Sequence, residues 1–227
     1  MEKIKNFFKE IGKSLLVFLL YLGLVLILSN AFKNLIKSSN FWISNLIAIL
    51  VELIVLFVLF LIYRKRIIVD FKEYKNNIKN IMSTSLKNWI IGLIVMLVSN
   101  VIISFITGNI ANNEEMNRSL LVSTPLYAIT AMVFIAPITE EIIFRLSPRK
   151  AFNKKMPYLI YSAIFFGAMH LLSSTSLIEL LYVIPYGALG FFFAKSYYET
   201  NNIFSSISTH MIHNTVAVIL AYMALLG

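Results

Sequence analysis

Long apolar stretches separated by short polar, basic ones set the pattern of the chain. Seven runs stand out, at 14–32, 42–63, 89–107, 120–144, 157–172, 177–195 and 203–226, and a helix needs roughly twenty such residues to cross about 30 Å of hydrocarbon. The fifth run is short and reaches the sixth through only Ser173 to Ser176, which predicts a tight helical hairpin. The expectation is an all-α, polytopic integral membrane protein of about seven transmembrane helices, within a range of six to eight, with its active site between helices. The tract from Arg64 to Lys87 is polar but keeps apolar residues at helical spacing, so it reads as an interfacial helix along the inner leaflet. Met1 to Lys13 is basic and amphipathic. The run after it is too long for a signal peptide and lacks a small-residue cleavage site, so the segment is expected to be retained.

The pattern shows no repeat with a period of 20 to 50 residues and no low-complexity tract. Residues 1–227 therefore read as a single membrane domain, with N-terminal spans over 1–119 and the candidate chemistry over 120–227. Composition agrees. With 59% apolar residues, 14% charged residues and a mean hydropathy of +0.79, the chain lies outside the range of ordinary soluble domains. The absence of cysteine excludes disulfides, thiolate metal sites and a cysteine nucleophile.

A net charge of +9 raises the question of nucleic acid, but the basic residues lie between apolar runs rather than on one face with interleaved aromatics. Topology explains them instead. With the N-terminus placed in the cytoplasm, seventeen of the twenty Lys and Arg fall inside, and only Lys33, Lys37 and Arg118 outside. The expected setting is the cell membrane, multi-pass, with lipid as the surrounding partner and no nucleic acid. Trp42, Trp89 and Tyr63 stand at span ends, where amphipathic rings favour the headgroup region.

Ionisable side chains inside spans are costly and mark candidate sites. They are Glu52, Glu140, Glu141, His170, His210 and His213. Glu179 sits close enough to a span end to reach the interface, and Glu52 would be satisfied as a neutral carboxyl bonded to a neighbouring helix. Neighbouring residues on a helix project about 100° apart, so Glu140 and Glu141 address different partners. Glu141 and Arg145 are spaced i, i+4 and can pair. Pro137 cannot donate to the carbonyl of Val133, which predicts an opened or bent helix beside Glu140.

On the fifth run Phe166 and His170 share a face, and Ala163 with Gly167 forms a small-residue strip for close helix approach. On the last run His210 and Asn214 are also i, i+4, with His213 about 60° from His210 in projection and able to stand in for it. A carboxylate, two imidazoles and a carboxamide on three apolar helices are the parts needed to hydrolyse an amide with water. Glu140 would act as general base, His210 with Asn214 would stabilise the oxyanion, and His170 would orient the water or the base. No HExxH occurs, yet a zinc ion held between helices by Glu140, His170 and His210 is chemically admissible.

These residues resemble a known family. EEIIFR at 140–145, FGAMH at 166–170 and HMIHN at 210–214 are similar to the EExxxR, FxxxH and HxxxN motifs of the CAAX protease and bacteriocin-processing intramembrane proteases, and they occur in that family's order. The resemblance runs from about Leu120 to the C-terminus. It implies an active-site Glu140 with His170, His210 and Asn214, supported by Glu141 and Arg145. The family includes the Ras-converting CAAX endopeptidases and has been discussed as both glutamate-dependent and metal-dependent. An asparagine is a poor transition-metal ligand, so no cofactor is the first expectation and zinc the alternative. Members often carry a further helix after the third motif, whereas here Gly227 follows directly on the helix that bears it. His170 also lies some 20 Å along its helix from Pro157, so that helix is expected to start later or to tilt.

The activity so implied is an intramembrane endopeptidase acting near the cytoplasmic leaflet on a peptide or protein with a membrane-held segment. In a eukaryotic or archaeal host the substrate would be a prenylated CAAX protein, and in a bacterial one a leader, signalling or bacteriocin-related peptide. An Ile/Lys/Asn-rich composition leans bacterial. The alternatives are a catalytically idle scaffold or bacteriocin-immunity protein of the same fold, and a proton-coupled transporter using Glu52, Glu140 and the histidines. The transporter would often show an inverted repeat, and none is visible.

Overall fold

The computed structural model describes residues 2–226, and within them it is helical with no strand. Met1 and Gly227, the outer limits of the expected domain, lie outside the described residues. The helices are α1 (Glu2–Ser38), α2 (Phe41–Thr107), α3 (Asn112–Ser123), α4 (Pro125–Ala151), α5 (Lys155–Met169), α6 (Val183–Thr200) and α7 (Ile203–Leu226). Five of them are long and apolar enough to cross a membrane. The 67 residues of α2 hold both the second and the third apolar runs. The protein is a multi-pass membrane protein.

The tract 64–87 is helical, as expected, and within it α2 is kinked at Asn77, whose backbone is non-helical (φ −122°, ψ 23°). After Thr107, α3 begins with Glu114 and Glu115 in its first turn, where a helix favours negative charge. The helical hairpin between the fifth and sixth runs is present as α5 and α6, joined through a 3₁₀ turn at Leu177–Tyr182.

The chain divides into two compact units. The first comprises the chain up to Val69, Leu120–Ala151, and the segment from Met211 onward. Its α2 segment buries Val51, Val55 and Leu59, one face at i, i+4 spacing, and exposes Leu50, Leu53 and Phe57 on the others. Large exposed apolar side chains suit a helix whose outer faces meet lipid rather than water. Asn45, 1% exposed, donates to the Phe41 carbonyl (2.8 Å) and accepts from the Tyr127 N–H (3.0 Å), so it satisfies an orphan donor of the first turn of α4, where Pro125 stands. Leu121 and Ala128 pack with Ala221, Val218 and Tyr222 of α7.

The second unit comprises Asp70–Ser119 and Phe152–His210. Its α5 and α6 lie in close contact because the facing positions are small. A Cβ on Gly187 would come 3.2 Å from the Ala163 carbonyl oxygen, and one on Gly167 would come 2.9 Å from the Val183 side chain and carbonyl. The expected Ala163/Gly167 strip is therefore where the backbones meet. Between α6 and α7, Asn201 takes a left-handed conformation (φ 51°), which suits the end of a helix. Asn202 then caps α7 by accepting from the Phe204 N–H, while buried Asp70 accepts from the Ile203 N–H (3.0 Å).

Candidate functional site

The helix that bears Glu140 changes pitch twice. Ala131–Ile135 and Ile142–Leu146 are π-turns, and Ala136–Glu141 between them is α. Each π-turn ends against a proline. The N–H of Ala136 bonds the Ala131 carbonyl just before Pro137, and the N–H of Ser147 bonds the Ile142 carbonyl (2.9 Å) just before Pro148. A proline inside an α-helix lacks a donor and clashes with the carbonyl four residues back, and one extra residue in the turn relieves that clash. The opening expected at Pro137 is present, and Pro148 repeats it.

Glu141 and Arg145 are both fully buried (0% exposed), and Nη1 of the arginine stands 3.1 Å from Oε1 of the glutamate. The pair expected from their spacing is made. Glu140, one residue earlier, is half-buried on another face of the same helix. Tyr21 of α1 and Glu52 of α2 lie within electrostatic range of one another, and Tyr21 is in range of Glu140 as well. Glu52 accepts from the Tyr127 hydroxyl at 3.4 Å, a long contact to a neighbouring helix.

In α7, His210 and Asn214 are one turn apart, and His213 is half-buried. The Asn214 carboxamide donates to the backbone carbonyl of Met132 (2.8 Å), within the first π-turn of α4. This ties α7 to the helix that carries Glu140 and uses one of the two N–H groups of the amide.

The two histidines of the second unit meet around one ring. His170 and His210 have ring centroids 4.5 Å and 5.6 Å from that of Phe166. Nδ1 of His170 lies 2.8 Å from the Phe166 carbonyl, and a carbonyl can only accept, so this nitrogen carries a proton. His170 is not deep within its helix. α5 begins at Lys155, earlier than expected, and ends at Met169, so His170 is its C-terminal cap at the turn into the hairpin loop. At 15 residues α5 is about 22 Å long, short of a full crossing.

Several residues of this site escape a sequence reading. Tyr186 stacks on His170 (4.5 Å, 22°) and receives a bond from Asn113 of α3 at 3.4 Å. Phe193 stacks on His210 (4.7 Å, 23°), which is buried. Tyr182 donates to the Asn109 carbonyl and lies 3.1 Å from the Ser104 hydroxyl, holding the end of α2 to the turn before α6. An aromatic residue in an apolar run carries no mark of what it will stack on, so only their abundance was available beforehand.

Within neither unit do the described residues gather three or more His, Asp or Glu side chains that could hold a metal ion. The first unit holds Glu140 and Asn214, and the second His170 and His210.

Residues 122–216 match the family described as type II CAAX prenyl endopeptidase Rce1-like. That stretch includes Glu140, Glu141, Arg145, His170, His210, His213 and Asn214. It carries all three of the motifs that resemble the CAAX protease and bacteriocin-processing family. Over 116 residues the chain is 30% identical to "Putative membrane peptidase YdiL" of Bacillus subtilis (strain 168), covering 50% of this chain and 44% of that protein. Over 163 residues it is 26% identical to an uncharacterized protein of Mycoplasma capricolum subsp. capricolum, covering 66% of this chain and 46% of that protein. The chain thus spans under half the length of these curated relatives. No solved structure matches it. The Rce1-like match begins in α3 and ends in α7, so the pitch changes of α4 and the α5–α6 hairpin both belong to the shared region.

Proposed function

We propose that this protein is an intramembrane endopeptidase that hydrolyses a peptide bond in a peptide or protein with a membrane-held segment, using water activated by Glu140. The observation that carries this reading is that the Rce1-like match contains all four candidate residues, Glu140, His170, His210 and Asn214, in family order. Glu140 takes a proton from water as the oxygen attacks the scissile carbonyl, and passes it to the departing amine as the C–N bond breaks. His170 offers Nε2 to the attacking water, because its Nδ1–H is committed to the Phe166 carbonyl. His210 donates to the oxyanion of the tetrahedral intermediate. Glu141 and Arg145 neutralise each other and leave Glu140 as the acceptor.

A zinc ion bound by Glu140, His170 and His210 would supply Lewis acidity to the water instead. The fourth member of the set is a carboxamide engaged with a backbone carbonyl and is a poor ligand by type, so the donor set does not favour the ion and no step passes through it. The distribution of Lys and Arg favours an N-terminus in the cytoplasm and supports cleavage of the substrate near the inner leaflet.

The test uses purified protein in lipid, incubated with a library of membrane-tethered peptides and read by mass spectrometry. Glu140→Gln is expected to keep the fold and abolish cleavage, since an amide cannot accept the proton of water. Activity is expected to survive strong chelation. Zinc at about one ion per chain, with activity lost on removal and restored on return, would replace the glutamate reading with a metal one. A wild-type protein that cleaves nothing, while Glu140→Gln still supports the cellular phenotype, would favour a scaffold instead.

A further inference from the structure

We infer that Asn214 is a positioning residue: its carboxamide supplies the Met132 carbonyl with the donor that Pro137 withholds, and so fixes the turn from which Glu140 projects. In an α-helix the Met132 carbonyl would accept from the N–H of Ala136, but that N–H bonds Ala131. In a π-turn it would accept from residue 137, which is a proline and has no N–H. Neither pitch therefore gives this carbonyl a backbone donor. A carbonyl without a donor at membrane depth has no water to turn to, so a side chain has to provide one. Nδ2 of Asn214 does so at 2.8 Å.

The chemistry of the position follows. An aspartate would present a second acceptor to the carbonyl, and an alanine or leucine would present nothing. The bond spans from α7 to a point five residues before Pro137 and eight before Glu140 on the same continuous helix. Without it, the loosened turn at 131–137 has two ways to settle, and the direction of Glu140 changes with them.

The inference rests on the endopeptidase reading for its activity readout and stands apart from it for its stability readout. Four proteins in lipid decide it: wild type, Asn214→Ala, Pro137→Ala, and the double variant. Replacing Pro137 with alanine returns a backbone N–H that lets the helix satisfy Met132 by itself. Asn214→Ala is expected to lower the thermal midpoint and to reduce kcat at least tenfold with little change in KM. In that background Pro137→Ala is expected to recover most of the midpoint and at least tenfold of kcat. A donor acting on the reacting atoms could not be replaced in this way. A double variant no faster than Asn214→Ala, or one that regains its midpoint but not its rate, overturns the inference. If Asn214→Ala fails to fold, a folded double variant supports it and an unfolded one overturns it. An inactive wild type would sink the endopeptidase reading, and the midpoints alone would then decide whether the carboxamide caps Met132.

Discussion

Around Glu140 the helix Pro125–Ala151 changes pitch twice, each time against a proline, and its loosened carbonyl at Met132 is completed by a side chain from α7. Around His170 and His210 the helices keep α geometry up to the imidazoles, and rings fix the side chains: Phe166 against both, Tyr186 on one and Phe193 on the other. The helix of the carboxylate is held by hydrogen bonds, and the imidazoles chiefly by packing, with His170 also donating to the Phe166 carbonyl. The two means fail differently. A buried hydrogen bond or ion pair is present or absent, and its loss leaves a polar group with nowhere to go. A stack or a close helix contact loosens by degrees.

The largest effect is expected at the ion pair of the carboxylate helix. Glu141→Ala takes the carboxylate away from a guanidinium that is 0% exposed, and breaking such a buried pair costs about 3–5 kcal/mol. Arg145→Ala takes the cation away from the carboxylate at a comparable cost. The double variant, with both sides of the pair removed, should lose clearly less than the sum of the two in thermal unfolding of detergent-extracted protein. Simple additivity would mean that the two residues are not coupled and that this helix is held by packing after all.

A smaller loss is expected in the hairpin. Gly167→Val pushes a branched side chain where even a Cβ would stand 2.9 Å from Val183, and overpacking of this kind costs about 1–3 kcal/mol. Gly23→Ala, with nothing within 4 Å, serves as the comparison and should be neutral or slightly stabilising in the same unfolding experiment. Equal effects at the two glycines would break the claim that α5 and α6 approach through their small residues. The activity of Gly167→Val should fall with its stability, because His170 caps the same helix.

The smallest effect sharpens the packing side. Tyr186→Phe keeps the stack on His170 and loses only the 3.4 Å bond from Asn113, so stability and cleavage rate should change little. Tyr186→Leu removes the ring, at about 0.5–1.5 kcal/mol beyond its lost area, and should slow cleavage more than the phenylalanine does. Equal rates for the two variants would mean that the stack does not position the imidazole.

Membrane character, helical class and the candidate residues were legible in the sequence because each rests on local properties. Hydrophobic length decides whether a segment spans, an i, i+4 interval decides that Glu141 can meet Arg145, and a missing N–H at Pro137 opens a helix wherever that helix lies. The pitch change before Pro148 rests on the same logic and could have been read alongside it. What the tertiary structure alone decided depends on residues far apart in the chain. No local rule says that the donor missing at Met132 comes from Asn214, 82 positions on, or that Tyr186 rather than another of eleven tyrosines lies on His170. The end of α5 at Met169, which leaves His170 as a cap instead of burying it mid-helix, also contradicts an apolar run that continues to Leu172. Hydropathy records what a segment is willing to touch, whereas partners and helix ends are settled by which backbone groups and rings the fold brings within a few ångströms.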